Sequence, residues 1–239
     1  VNAIAERLET VRAQIRQAAE KCGLSPDSVR LVAVSKTKSA EEMRAAYDAG
    51  QRDFGENYVQ ELAAKADSLS DLRELRFHFI GHLQRNKAKV AARVASAIHT
   101  IDSVRLAEEI GKRAAEAPFE RSPASFASGS SDRLSVFVEV NVGGEAQKTG
   151  CQPGELAAVL TAIESAPALR LVGLMTVPPF TEDPDGARPY FDALASLRNE
   201  HGRERLPELS MGMSHDLTQA VAAGATVVRV GRAIFGDRS

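Results

Sequence analysis

The sequence predicts an α/β protein folded as a single (β/α)8 barrel of the TIM type. Three observations carry this: short apolar runs alternate with helical patterns, eight such runs occur, and no early glycine-rich dinucleotide fingerprint favours an open doubly wound sheet. Strict β/α alternation requires a parallel sheet. Periodicity alone does not separate closure from twist, so the open sheet stays as the alternative.

Taken in order, Ile4, Leu8, Val11, Ile15 and Ala18 recur at helical spacing, and the pattern ends near Cys22 and Gly23. Val29 to Val34 follows as a β-branched apolar run of the kind buried on both faces. Ser39 and Glu42 form a capping box for a helix through Met43, Ala46 and Tyr47 that Gly50 can end. The remaining strands are expected at Arg52 to Phe54, Phe77 to Ile80, Ala97 to Ile101, Leu134 to Asn141, Leu171 to Thr176, Glu208 to Met211 and Val227 to Val230. Helical patterns between them run Val59 to Leu69, Asn86 to Ala95, Ser103 to Glu116, Gly154 to Ser165, Ala187 to His201 and Leu217 to Ala223.

One stretch breaks the rhythm. Residues Ala117 to Asp132, APFERSPASFASGSSD, have no sustained period and are expected to be a mobile surface loop inside one domain spanning 1–239, rather than a linker. A length of 239 residues suits one large barrel, and 44% hydrophobic against 26% charged residues is ordinary for a soluble core-forming chain. A formal net charge of −2 gives no global attraction for nucleic acid or an anionic membrane, so any anion site must be local. Two cysteines, Cys22 and Cys151, suit a reducing cytosol better than a disulfide scaffold. No signal peptide or membrane-length apolar run is found, and a cytoplasmic location is expected.

In a barrel the residues just past each strand meet at one mouth. Lys36, past a wholly apolar strand, could have its ammonium desolvated and its amine freed for carbonyl attack, although most strand-end lysines reach solvent. At the other end of the chain Val230 runs into Gly231 and Arg232, a strand-end glycine before a short helical turn, which leaves backbone N–H groups for a phosphate. Ser214, after the seventh strand, offers either a hydroxyl to the same phosphate or a cap for the helix from Leu217. Arg229 shares the facing of Gly231, toward the barrel interior, or packs outward if the phase is off by one. Asn57 after the second strand faces the same opening or caps a helix. His78 and His82, four apart but on a strand followed by glycine, lack further ligands for a metal and are expected to serve as core or hydrogen-bonded residues.

FHFIGHLQRNK from Phe77 is similar to the signature of the pyridoxal 5′-phosphate (PLP) homeostasis proteins, barrels related to the N-terminal half of alanine racemase. LVAVSKTK around Lys36, FGENYVQE from Phe54, VNVGGEAQKTG from Val140, GLMTVPP from Gly173, LSMGMSHD from Leu209 and VRVGRAIFG from Val228 follow in the family's order. The resemblance implies a PLP Schiff base on Lys36, phosphate contacts from Ser214, Gly231 and the Arg232 backbone, Asn57 lining the cofactor, and Arg229 at the pyridine nitrogen. A permanently charged donor there would keep that nitrogen unprotonated and weaken the ring as an electron sink. Arg232 and His215 depart from the pattern, which has Thr or Ser and an acidic residue at those places.

The function so implied is PLP binding in intracellular PLP homeostasis and supply, by a monomer without catalytic residues, with PLP-dependent client enzymes as partners. The alternative is a PLP-dependent amino-acid racemase, but its second base is a tyrosine from a second domain, and Tyr47, Tyr58 and Tyr190 all fall in helical patterns. A sugar-phosphate aldolase would keep Lys36 yet needs an acid/base set that the sequence does not display.

Overall fold

The computed structural model describes residues 2–116, 133–145 and 147–236. Within them parallel strands close into a barrel in chain order, the eighth pairing with the first. The strands are β1 Arg30–Val34, β2 Asp53–Glu56, β3 Arg76–Phe79, β4 Ala97–Ile101, β5 Leu134–Glu139, β6 Leu169–Met175, β7 Glu208–Ser210 and β8 Val227–Val230. The helices outside them are α1 Asn2–Lys21, α2 Ala40–Asp48, α3 Val59–Ser68, α4 Ala88–Val94, α5 Val104–Glu116, α6 Leu156–Glu164, α7 Arg188–His201, α8 Leu217–Ala222 and the four-residue α9 Arg232–Phe235. The stretch Ala117 to Asp132 lies outside the described residues.

Local chemistry sets several boundaries as the sequence predicts. The Glu42 amide donates to Ser39 Oγ at 3.2 Å while the Ser39 amide donates to Glu42 Oε2 at 2.8 Å, so two otherwise unpaired donors open α2 satisfied. Other expectations need correction. The pattern from Asn86 begins as a 3-10 turn, Arg85–Lys87, before α4. The fifth strand ends at Glu139, not Asn141: the Val140 amide still donates to the Met175 carbonyl of β6 at 2.9 Å, but Val140 also bridges Cys151 in parallel and the Asn141 amide donates to the Cys151 carbonyl at 2.9 Å.

Two apolar clusters follow from the two-residue period of strands in a closed sheet. The larger lies between strands and helices and takes Leu31, Phe54, Phe77, Phe79, Leu209 and Val228. The smaller, with Val32, Phe137, Val172 and Val227, fills the lumen. Fully burying a side chain the size of Phe54 or Phe79 contributes about 1.5–3 kcal/mol. The alternation also turns polar residues inward: Asp53, His78, Ser210 and Arg229 each adjoin a residue of the outer cluster and are themselves buried. A register shift between Ile98 and Ile101 lets both face the outer cluster while His99 turns inward onto Phe137, ring centroids 4.2 Å apart.

Candidate functional site

Lys36 continues the inward phase of Val32 and Val34 past the end of β1, so its side chain stands at the barrel mouth, half-buried. The backbone that carries it is held tightly. The Ser35 amide donates to the Gly55 carbonyl at 2.9 Å and the Lys38 amide to the Ser35 carbonyl at 3.0 Å. Thr37, with φ of 64°, takes a left-handed conformation that costs a β-branched residue on the order of 1 kcal/mol or more, so its surroundings must impose it. The carboxylate of Glu61 supplies part of that restraint by accepting from the Thr37 amide at 2.8 Å.

Beneath the turn lies a buried ionic knot that sequence reasoning missed. Lys65 Nζ donates to the Ser35 carbonyl at 2.7 Å, to Glu56 Oε1 at 2.8 Å and to Glu61 Oε2 at 2.9 Å, which uses all three N–H groups of an ammonium. Ser35 Oγ donates to the same Glu56 oxygen at 2.6 Å. Burial pushes the Glu56 carboxyl above its usual range, against the pull of Lys65 and Ser35. One sequence signal was available: Lys65 sits three residues from Leu62 on the buried stripe of α3 and four from Glu61.

On the adjacent strand β8, Arg229 pairs in register with Val32 and points into the lumen, not outward. Its Nη1 donates to Ser210 Oγ at 2.7 Å and its Nη2 to the Thr176 carbonyl at 2.9 Å, two of the five N–H donors of a guanidinium. Burial lowers its pKa to about 10, partly offset by Glu139 and Asp216, so it stays charged at neutral pH. Gly231 follows in a tight place: a Cβ there would lie 3.0 Å from the Val34 carbonyl oxygen. Its carbonyl accepts the first intrahelical bonds of α9, from Ile234 and Phe235, so the Arg232 and Ala233 amides stand ahead of those donors.

Lys36, Ser214, Arg229, Gly231 and Arg232 line one cavity of about 620 Å³, within the range of small-molecule sites. Ser214 is exposed there and does not cap α8, whose N-cap is Asp216, because Asp216 Oδ1 turns back to accept from the Met213 amide at 2.6 Å. His215, also in the lining, stacks on the exposed Phe180 at 5.8 Å. Asn57 is not in the lining and does not cap α3, whose N-cap is Tyr58. The same assignment moves Tyr58 out of the helix it was expected to join. The Asn57 Oδ1 atom is buried without a hydrogen-bond partner, an acceptor left over at the end of β2.

The two motif histidines part. His78 lies inside the barrel, 2.8 Å from Asp53 and 2.9 Å from His99, whereas His82 is exposed and 3.8 Å from Asp102. Among the described residues no group of three or more His, Cys, Asp or Glu is arranged to hold a metal ion, and no helix is long and apolar enough to cross a membrane.

The cavity joins an amine, a buried guanidinium, a hydroxyl and backbone amides. Such a set can capture an aldehyde, donate to a ring nitrogen and hold a phosphate, the three functions PLP carries, so the residues fit that cofactor.

Comparison with known proteins gives the same direction. Residues 7–239 match the family described as alanine racemase, N-terminal domain. The pyridoxal phosphate homeostasis protein of Aquifex aeolicus is 41% identical over 236 residues, 98% of this chain and 97% of the relative; that of Pseudomonas aeruginosa is 42% identical over 238 residues, 100% and 97%. Among solved structures, PipY of Synechococcus elongatus with PLP bound superposes with a TM-score of 0.78 at 37% identity, covering 98% of this chain and all of that one. The barrel, the conserved length and these identities together show that the chain belongs to the alanine racemase N-terminal domain family and, within it, to the pyridoxal phosphate homeostasis proteins.

Proposed function

We propose that this barrel binds PLP at its C-terminal mouth, held covalently through the Lys36 amine, and acts in PLP homeostasis and supply rather than in turnover. The observation that carries the reading is the convergence of Lys36, Arg229, Gly231 and Arg232 on one cavity, from opposite ends of the sequence. When bound, PLP supplies an aldehyde open to a primary amine and a ring able to accept electrons. Lys36 is the nucleophile for that aldehyde. Arg229, which has no acceptor capacity, meets the ring nitrogen as a donor. The Gly231 and Arg232 amides and the Ser214 hydroxyl hold the phosphate, with the Arg232 charge beside it, and Asn57, which does not line the cavity, is left out of this set.

A non-catalytic role accords with relatives named for homeostasis, and none of Tyr47, Tyr58 and Tyr190 lines the cavity to act as a second base. The proposal extends to a monomeric, single-domain cytoplasmic carrier that hands PLP to client enzymes.

The test is the absorption spectrum of the protein with PLP before and after borohydride reduction, followed by peptide mass spectrometry. The expected result is one reduced adduct, on Lys36, absent from Lys36→Ala. A single adduct on another lysine, or none, would overturn the reading.

A further inference from the structure

The polar residues of the lumen form one continuous chain. His78 Nε2 is 2.8 Å from Asp53 Oδ1, His78 Nδ1 is 2.9 Å from His99 Nε2, and His99 Nδ1 is 2.8 Å from Ser210 Oγ, which accepts from Arg229 Nη1 at 2.7 Å. It runs from the start of β2, across β3, β4 and β7, to β8. At its far end Asp53 is held by a two-point ion pair with Arg76, both contacts at 2.7 Å.

We propose that His99, backed by His78 and Asp53, is a positioning residue for Arg229, acting through Ser210 as a hydrogen-bond chain with one fixed direction. The ends set the direction. Burial opposes ionisation of Asp53, but the His78 and Arg76 hydrogen bonds outweigh it and keep the carboxyl below its usual range, so it accepts. His78 must then donate from Nε2, and if neutral it accepts at Nδ1. His99 in turn donates from Nε2 and accepts at Nδ1, which leaves the Ser210 hydroxyl proton pointing at His99 and a Ser210 lone pair turned to Arg229. The opposite direction would require an extra proton on His78.

Burial disfavours that proton for both rings. It is opposed by Asp53 and reinforced by the positive charges of Arg30 and Arg76 around His78, and of Arg229 and Arg30 around His99. Aligned bonds of this kind polarise one another, so each link stiffens the next. The guanidinium is thereby fixed in orientation from below by groups that do not line the cavity. This inference rests on the reading of Arg229 as the group that meets the cofactor ring.

The experiment has two arms. In the first, long-range 1H–15N spectra of protein without PLP are recorded from pH 5.5 to 8, and both imidazoles are expected neutral, protonated at Nε2 and free of titration. An Nδ1–H tautomer or a cationic ring at either position would overturn the chain. In the second, PLP is titrated into wild type, His99→Phe and His99→Gln by absorbance. His99→Phe is expected to weaken binding about tenfold, the size of one good hydrogen bond, and to shift the bound absorption maximum. His99→Gln, whose amide can accept from Ser210 and donate to His78, is expected to restore both. Wild-type affinity and spectrum in His99→Phe would overturn the positioning role. If that variant fails to fold, Ser210→Ala cuts the same link and is judged by the same criteria. Should wild type bind no PLP, the functional reading fails, while the spectra still decide the chain.

Discussion

The Lys65 ammonium donates to the Ser35 carbonyl at 2.7 Å, and the chain turns at that point to present the next residue, Lys36, at the barrel mouth. The same ammonium neutralises Glu56, whose side chain is wholly buried. Removing one partner of such a pair leaves a buried charge uncompensated, so Lys65→Met is expected to cost roughly 3 kcal/mol of unfolding free energy. Urea denaturation measures the cost. A loss under about 1 kcal/mol, the range of an exposed pair, would show that the knot is no anchor for the Lys36 turn.

Gly231→Ala places a methyl group 3.0 Å from the Val34 carbonyl oxygen and 3.2 Å from the Val34 Cβ, so the end of β1 must give way by a few tenths of an ångström next to Arg232. Overpacking of this kind costs about 1–3 kcal/mol. The expected outcome is weaker binding of PLP, and weaker binding of inorganic phosphate in competition with it, by calorimetry. Unchanged affinity for both would remove Gly231 from the phosphate site.

Stability should depend on pH through His99. Its pKa is lowered well below the usual value by burial and by His78 and Arg229, so the unfolded chain binds a proton that the folded one refuses. Stability from this group is therefore complete above about pH 6.5 and is lost as pH falls below it, by about 1.4 kcal/mol per unit. Asp53, an acid whose pKa is likewise lowered, loses its contribution only below about pH 4. Denaturant titrations between pH 7 and 5 should be shallower by about one proton in His99→Gln than in wild type. Parallel pH profiles would mean that His99 is protonated when folded.

The loaded protein is expected to racemise no free L-alanine. None of Tyr47, Tyr58 and Tyr190 lines the cavity to make the far-face proton transfer, and such a group contributes ~10² to 10⁴ in rate. Chiral chromatography with Lys36→Ala as the blank measures this. Lys36-dependent turnover near ~10 s⁻¹, the ordinary level for an enzyme, would make the chain a racemase.

The sequence by itself left the phase of Arg229 open and determined the alternation of strands and helices, the capping box at Ser39 and the strand end before Lys36. These are local: the two-residue period of a strand and the pairing of a cap with the third helical residue depend on neighbours in the chain. Lys36 and Gly231 could be paired from sequence only through a family resemblance, since they lie far apart in the chain and meet because β8 closes on β1. Closure itself, the ionic knot under Ser35 and the chain from Asp53 to Arg229 were decided by the tertiary structure. Each joins polar groups from several strands or helices; a lone His99 in sequence shows no sign of its partners, and Lys65 shows only Glu61, one helical turn away. A buried polar group must find one wherever the fold brings it, and only the closed barrel fixes where that is.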